Sequence, residues 1–152
     1  MQVEIRPLEE KDALISYKWR NNPLIWKYTG NRPDKTITPE IELDWIRKVL
    51  KNENEKRFAI IADSTYVGNV YLTNVENHTA SFHIFIGEPD YWGKGVATIV
   101  LDKIISYSNK IHLSKLILKV HQDNIPAQKL YKKAGFVETS RADDRISMEK
   151  TL

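Results

Sequence analysis

The chain has 152 residues, 41% apolar and 28% charged, and a formal charge of +3, which suits one globular domain with a packed core. It has no cysteine, which excludes disulfides and thiolate metal sites and fits a reducing cytoplasm. No apolar run reaches the ~20 residues of a membrane helix, and the mild positive charge lacks the basic stripe of a nucleic-acid binder.

The opening "MQVEIRPLEEKD" places no apolar core behind a basic start, so no secretory leader is expected at this end. "QVEIRP" alternates and predicts a strand closed by Pro7. "LEEKDALISYKWRN" predicts a helix with Leu8, Ala13, Leu14, Tyr17 and Trp19 inward, which "NNP" ends or bends. "YTGNRPDKTI" reads as a loop. Thr38 is the expected N-cap and Pro39 the first residue of a helix to about Asn52, with Ile41, Trp45, Ile46, Val49 and Leu50 on one face.

Three strands follow, "RFAIIAD", "YVGNVYLTNV" and "TASFHIFIG". The short turns between them predict an antiparallel meander. After the loop "EPDYWGKG", a helix is expected from about Val96 to Ser108, burying Val96, Ala97, Val100, Leu101, Ile104 and Ile105. "KLILKV" is a strand, "IPAQKLYKKA" a helix stopped by Gly135, and "FVETSR" and "RISMEK" are strands around "ADD". The order β–α–α–β–β–β–α–β–α–β–β predicts an α/β (α+β) mixed sheet with helices on both faces, one domain over residues 1–152.

The loop "YWGKGVAT" follows a strand and opens a helix. Free N–H groups at a helix start, with glycines that let backbone approach closely, suit a phosphate. The spacing fits neither the Walker pattern nor G-x-G-x-x-G, and a tight strand–helix turn that binds nothing has the same composition.

A second stretch, "NIPAQKLYKKAGF", lies downstream. Together with "PDYWGKGVAT" it resembles the GNAT superfamily of acetyl-CoA-dependent N-acetyltransferases. The family's first motif has the form R/Q-x-x-G-x-G/A; its second, N-x-x-[SA]-x-x-[LF]-Y-x-x-x-G-F, is matched at Asn124, Ala127, Leu130, Tyr131, Gly135 and Phe136. The chain departs from the first motif at Trp92, a residue familiar from the branch with ribosomal-protein N-terminal acetyltransferases. The resemblance implies a mostly antiparallel sheet splayed between its fourth and fifth strands, with acetyl-CoA as cosubstrate. It implies that backbone at Ile84, Phe85, Ile86 and Gly87 holds the pantetheine arm and presents an N–H to the developing oxyanion. Trp92, Gly93, Lys94, Gly95, Val96, Ala97 and Thr98 would hold the pyrophosphate, and Asn124, Ala127 and Tyr131 would complete the cofactor site.

The resemblance also implies direct attack by a neutral amine. Tyr131 is the expected general acid for the leaving thiolate, although its helical face would equally serve the core. His83 is the candidate base, with Glu88 and Glu76 as rivals. "WRNNP" resembles members that acetylate ribosomal N-termini or amino sugars on nucleotide carriers, and places Trp19, Arg20, Asn21 and Tyr28 on the acceptor side; as plain residues, Trp19 and Trp26 also suit a core. The expected acceptor is a small-molecule amine such as a nucleotide-linked amino sugar, the alternatives being a protein N-terminus or a CoA-binding module without catalysis. A cytoplasmic monomer or homodimer is expected, without metal, nucleic acid or membrane.

Overall fold

The computed structural model describes residues 1–29 and 32–152, and for Tyr28 and Thr29 the backbone alone. β1 (Val3–Pro7) leads into α1 (Ala13–Arg20), α2 (Pro23–Thr29) and α3 (Pro39–Leu50). β2 (Lys56–Ala62), β3 (Thr65–Glu76) and β4 (Thr79–Ile86) then form the meander. α4 (Val96–Lys110), β5 (Lys115–His121), α5 (Ile125–Lys133), β6 (Val137–Ala142) and β7 (Arg145–Thr151) complete the chain.

The strands form one sheet in the order β1-β2-β3-β4-β5-β7-β6. Every neighbouring pair is antiparallel except β4 and β5. The β2–β3 turn is Asp63 and Ser64, both at positive φ, the form whose twist suits a two-residue hairpin. One core cluster gathers Val70, Leu72, Phe82, Val100, Ile104 and Leu116 on the α4 and α5 side. A second gathers Ala13, Trp19, Ile25, Ile46, Ala59 and Tyr66 under α1, α2 and α3. Helices therefore cover both faces, as the alternation of elements predicts.

Before β2 the chain has three helices where the sequence reading has two. Asn22 and Pro23, read as a stop, also start α2. The Asn22 carbonyl accepts from the Ile25 and Trp26 amides, its side chain accepts from the Leu24 amide at 3.0 Å, and Pro23 takes the first helical position. The inward face of α1 is also corrected. Leu14 is exposed, and Ser16 is buried instead, donating to Glu42 of α3 at 2.7 Å. Likewise Leu50 is exposed and Glu42, 2% exposed, takes its place inside α3. Arg20 completes the pairing, with Nη1 2.8 Å from Glu42 Oε1. A buried carboxylate is tolerated because both oxygens have donors. Thr38 caps α3 as expected, its hydroxyl accepting from the Ile41 amide at 3.2 Å. Among the described residues no helix is long and apolar enough to cross a membrane.

Candidate functional site

β4 and β5 run side by side for only three registered pairs, Thr79 with Lys115, Ala80 with Leu116 and Ser81 with Ile117. Beyond these the strands part, so the expected splay between the fourth and fifth strands is present. Backbone alternation decides what faces the gap. The Gly87 N–H donates to Val67 of β3 at 2.6 Å, and the Glu88 N–H shares that acceptor at 3.2 Å. His83, Phe85 and Gly87 therefore turn their backbone polar groups towards β3, and Ile84 and Ile86 turn theirs into the gap. This corrects part of the expectation. The backbone of Phe85 and the N–H of Gly87 are committed to β3, which leaves Ile84 and Ile86 for an extended ligand arm. The Ile86 carbonyl is already taken by the Trp92 indole N–H at 2.9 Å.

The loop after β4 has a short helical turn at Pro89–Tyr91, then Trp92, Gly93, Lys94 and Gly95. Gly93 and Gly95 have φ of 70° and 83°, and Gly95 is the N-cap of α4. Such left-handed positions favour glycine. An added Cβ at either would meet nothing within 4 Å, so the protein side imposes no crowding there. The first amide of this segment with a backbone acceptor is Ile99, which donates to Gly95 at 3.2 Å. From Gly93 to Thr98, six consecutive N–H groups have no acceptor among the described residues. Six free donors around a helix N-terminus make a strong anion cradle. Lys94 lies over the Tyr91 ring, with Nζ 5.7 Å from its centroid.

α5 begins beside the same end of β5, so both helix N-termini stand beyond the carboxyl ends of the parallel pair. That is where open α/β sheets bind ligands. Asn124 caps α5, Oδ1 accepting from the Ala127 amide at 3.3 Å. Ala127 is part-buried against the α4–α5 core cluster. Tyr131 is 8% exposed, packed edge-on to Phe82 at 6.0 Å and tilted against Phe136 at 5.8 Å. Burial pushes its phenol up to about 12; its hydroxyl bonds to no described residue, and since no buried polar side-chain atom among them is left unpaired, the oxygen keeps access to solvent. A ring held by the core thus carries a hydroxyl with no structural duty. The two expected roles, core packing and chemistry, belong to different atoms of one side chain.

The three candidate bases separate clearly. Glu76 is exposed and precedes the turn into β4, at the other end of an eight-residue strand from the cradle, about 25 Å away. His83 stacks on Tyr71 with ring centroids 4.7 Å apart and lies 2.9 Å from Thr73 Oγ1 through Nε2. Burial, and then the Arg57 charge, lower its pKa to about 4, against a raising effect of Glu55. A ring that stays neutral to about pH 4 is a poor proton acceptor from an amine. Its folded pKa lies below the usual 6.5, so its contribution is present above pH 6.5 and is lost as pH falls from there to about 4. The wild type is expected to lose on the order of 3 kcal/mol more stability across that window than His83→Gln. Urea unfolding at pH 7 and pH 4 measures the difference, and equal losses would show that burial does not depress His83. Glu88 is separated from the end of β4 by Gly87 alone and is half-buried. Its Oε1 accepts from Trp19 Nε1 at 3.0 Å, and Oε2 has no partner among the described residues.

The residues expected on the acceptor side are largely used by the fold. Trp19 is 3% exposed, packed on Tyr66 at 4.7 Å and edge-on to Phe85 at 5.9 Å. Arg20 binds Glu42 and lies over Trp45. Asn21 binds Ile37 in both directions, at 2.8 Å each, and holds the segment before α3. The Tyr28 side chain lies outside the described residues. The sequence reading missed that Trp19 reaches Glu88 across 69 positions; no local pattern carries such a contact. Among the described residues, no group of three or more His, Asp or Glu is placed to hold a metal ion.

A sequence profile of the acetyltransferase (GNAT) domain matches residues 2–137. The spermidine N(1)-acetyltransferase of Escherichia coli (strain K12) is 33% identical over 139 residues, covering 88% of this chain and 72% of that protein. The acetyltransferase PseH of Campylobacter jejuni subsp. jejuni serotype O:23/36 (strain 81-176) is 27% identical, covering 85% and 79%. Among solved structures, spermidine N-acetyltransferase from Vibrio cholerae in complex with CoA and spermine superposes with a TM-score of 0.88 at 27% identity, covering 99% of this chain and 95% of that one.

Proposed function

The chain belongs to the acetyltransferase (GNAT) domain family, and from that premise we propose that its acceptor is the primary amine of a polyamine and that Glu88 receives the amine's proton. The enzyme is an acetyl-CoA-dependent N-acetyltransferase. Acetyl-CoA supplies an activated acetyl group. The chain's part is to bind the pyrophosphate on the Gly93–Thr98 amides, to orient the arm along Ile84 and Ile86, and to keep a hydroxyl proton on Tyr131 for the leaving sulfur. Asn124 and Ala127 form the start of the helix that carries Tyr131.

The observation that carries the acceptor reading is the Glu88 carboxylate. It stands at the end of β4, between the gap and the cradle, with Oε2 free to meet an ammonium group. An amine titrates near 10, so it arrives charged and must lose a proton before it attacks; a carboxylate both attracts it and takes that proton. The polyamine reading is supported by the spermidine acetyltransferases of Escherichia coli and Vibrio cholerae among the similar proteins. The amino-sugar expectation rested on the segment from Trp19 to Pro23 and on the short length of the chain, and of that segment Trp19, Arg20 and Asn21 are used by the fold itself.

One feature favours the amino sugar as a second reading. A hollow of about 360 Å³ beside α2 is lined by Asn21, Trp26, Arg32, Pro33, Asp34, Lys35 and Thr36, and its two cationic side chains, set against the single carboxylate of Asp34, suit the phosphates of a nucleotide carrier.

Thiol release from acetyl-CoA, measured with spermidine, spermine, a nucleotide-linked amino sugar and a free-N-terminus peptide, decides among them. Spermidine is expected to give the highest kcat/KM, and Glu88→Gln to lower kcat by about 10²-fold on it. Turnover on the sugar or the peptide alone would overturn the polyamine reading.

A further inference from the structure

The Trp19 indole has one polar atom and three walls. Its ring lies against Tyr66, against the edge of Phe85, and against the backbone of Gly87. The last contact is so close that a Cβ on Gly87 would lie 2.1 Å from Trp19 Cδ2. Only a residue without a side chain lets the indole rest on the β4 backbone at this point. The Nε1–H of so deeply buried a ring needs an acceptor, and it has Glu88 Oε1. The Glu88 backbone is fixed separately by Val67.

We infer that Trp19 is a positioning residue for the reaction, holding the Glu88 carboxylate at the acceptor mouth and the end of β4 at the height of the cofactor arm. Trp19, 3% exposed, acts through its bond to Glu88. The inference rests on the reading of Glu88 as the group that meets the amine. Glu88 has two bonds available for orientation, its own backbone and the indole N–H. Without the indole, a three-bond side chain at a half-exposed site samples several rotamers, few of which aim Oε2 into the mouth. The indole also explains why the carboxylate is not drawn outward to solvent.

The test is a double-mutant cycle on whichever amine the panel identifies. Trp19→Phe keeps an aromatic ring and removes the N–H. It is expected to lower kcat about tenfold with the KM for acetyl-CoA unchanged. In a Glu88→Gln background the same change is expected to have little further effect. A packing role alone would instead lower the melting temperature and leave the two losses additive, which would overturn the inference. Should Trp19→Phe fold poorly, Glu88→Asp leaves Trp19 intact and withdraws the carboxylate by one methylene. Activity as low as in Glu88→Gln supports positioning by the indole, and activity near wild type overturns it. If Glu88→Gln itself turns over normally, the reading of Glu88 fails first and the role of Trp19 falls with it.

Discussion

Tyr131→Phe keeps the fold and lowers kcat by about 10²-fold or more, while CoA affinity is unchanged. The structure separates the two duties of this side chain. The ring fills core space against Phe82 and Phe136, and a phenylalanine ring fills the same space, so no cavity forms. The hydroxyl has no partner among the described residues, so its removal leaves no stranded donor or acceptor and no stability penalty of the kind that breaking a buried hydrogen bond brings. The whole effect should therefore fall on the chemical step. Burial pushes the phenol up to about 12, above its usual 10, so the proton stays on the oxygen throughout the working range. Kinetically, no loss of activity attributable to Tyr131 is expected as pH rises towards 10. Steady-state kinetics, a thermal melt and CoA titration of the variant test these statements together. Unchanged kcat would remove Tyr131 from the chemistry, and a lowered melting temperature with proportionate loss of activity would make it a packing residue.

Much of this site could be read from the sequence because its parts are local. Gly93 and Gly95 sit at left-handed positions that a strand-to-helix turn demands, and four of the six free amides, Gly95 to Thr98, follow from a helix having to start somewhere. Asn124 and Tyr131 are separated by two helical turns, and the spacing itself puts them on one face of α5, Asn124 at its N-cap and Tyr131 in its last turn. The three-strand meander follows from its short turns, and the sheet's register from alternation. What escaped the sequence lies in contacts between distant segments. Glu42 looks like a solvent-facing residue of an amphipathic helix until Ser16 and Arg20 arrive from α1. His83 looks like an available base until Tyr71, Thr73 and Arg57 surround it. Trp19 looks like part of an acceptor pocket until its indole is found under Gly87 and against Glu88. In each case a polar group's neighbours decide its chemistry, and those neighbours are set by packing.

Asn22 and Pro23 teach a related lesson about local signals. The same pair ends one helix and starts another, because a residue before proline leaves the helical region and an Asn–Pro pair is also an N-cap with a preset first residue. A stop and a start are then the same string, and only the three-dimensional path of the chain separates them. This bears on the acceptor side, since α2 contacts both β4 and β5 and so flanks the gap that the splay opens.

Gly95→Pro is expected to abolish CoA binding, and Gly95→Ala to weaken it by more than its effect on stability accounts for. Proline fixes φ near −65°, whereas Gly95 has φ 83°, so the turn into α4 cannot keep its course. Proline also removes one of the six donors. The loss of that donor's charge-assisted bond, about 1.5–3 kcal/mol, alone weakens CoA by about 10- to 10²-fold, and the diverted turn misplaces the remaining donors. Alanine is the sharper probe. Its Cβ would meet no protein atom within 4 Å, so without ligand the substitution costs only the left-handed conformation, about 1–2 kcal/mol. In the proposed cradle, the same Cβ would stand where the pyrophosphate approaches the amides. Calorimetric titration with CoA and with pantetheine separates the effects, because pantetheine has the arm but no pyrophosphate. CoA affinity is expected to fall in both variants, and pantetheine affinity to stay near wild type in Gly95→Ala. Equal losses for the two ligands would mean that Gly95 acts by shaping β4 and α4 alone, and normal CoA binding by Gly95→Pro would remove the pyrophosphate from this loop.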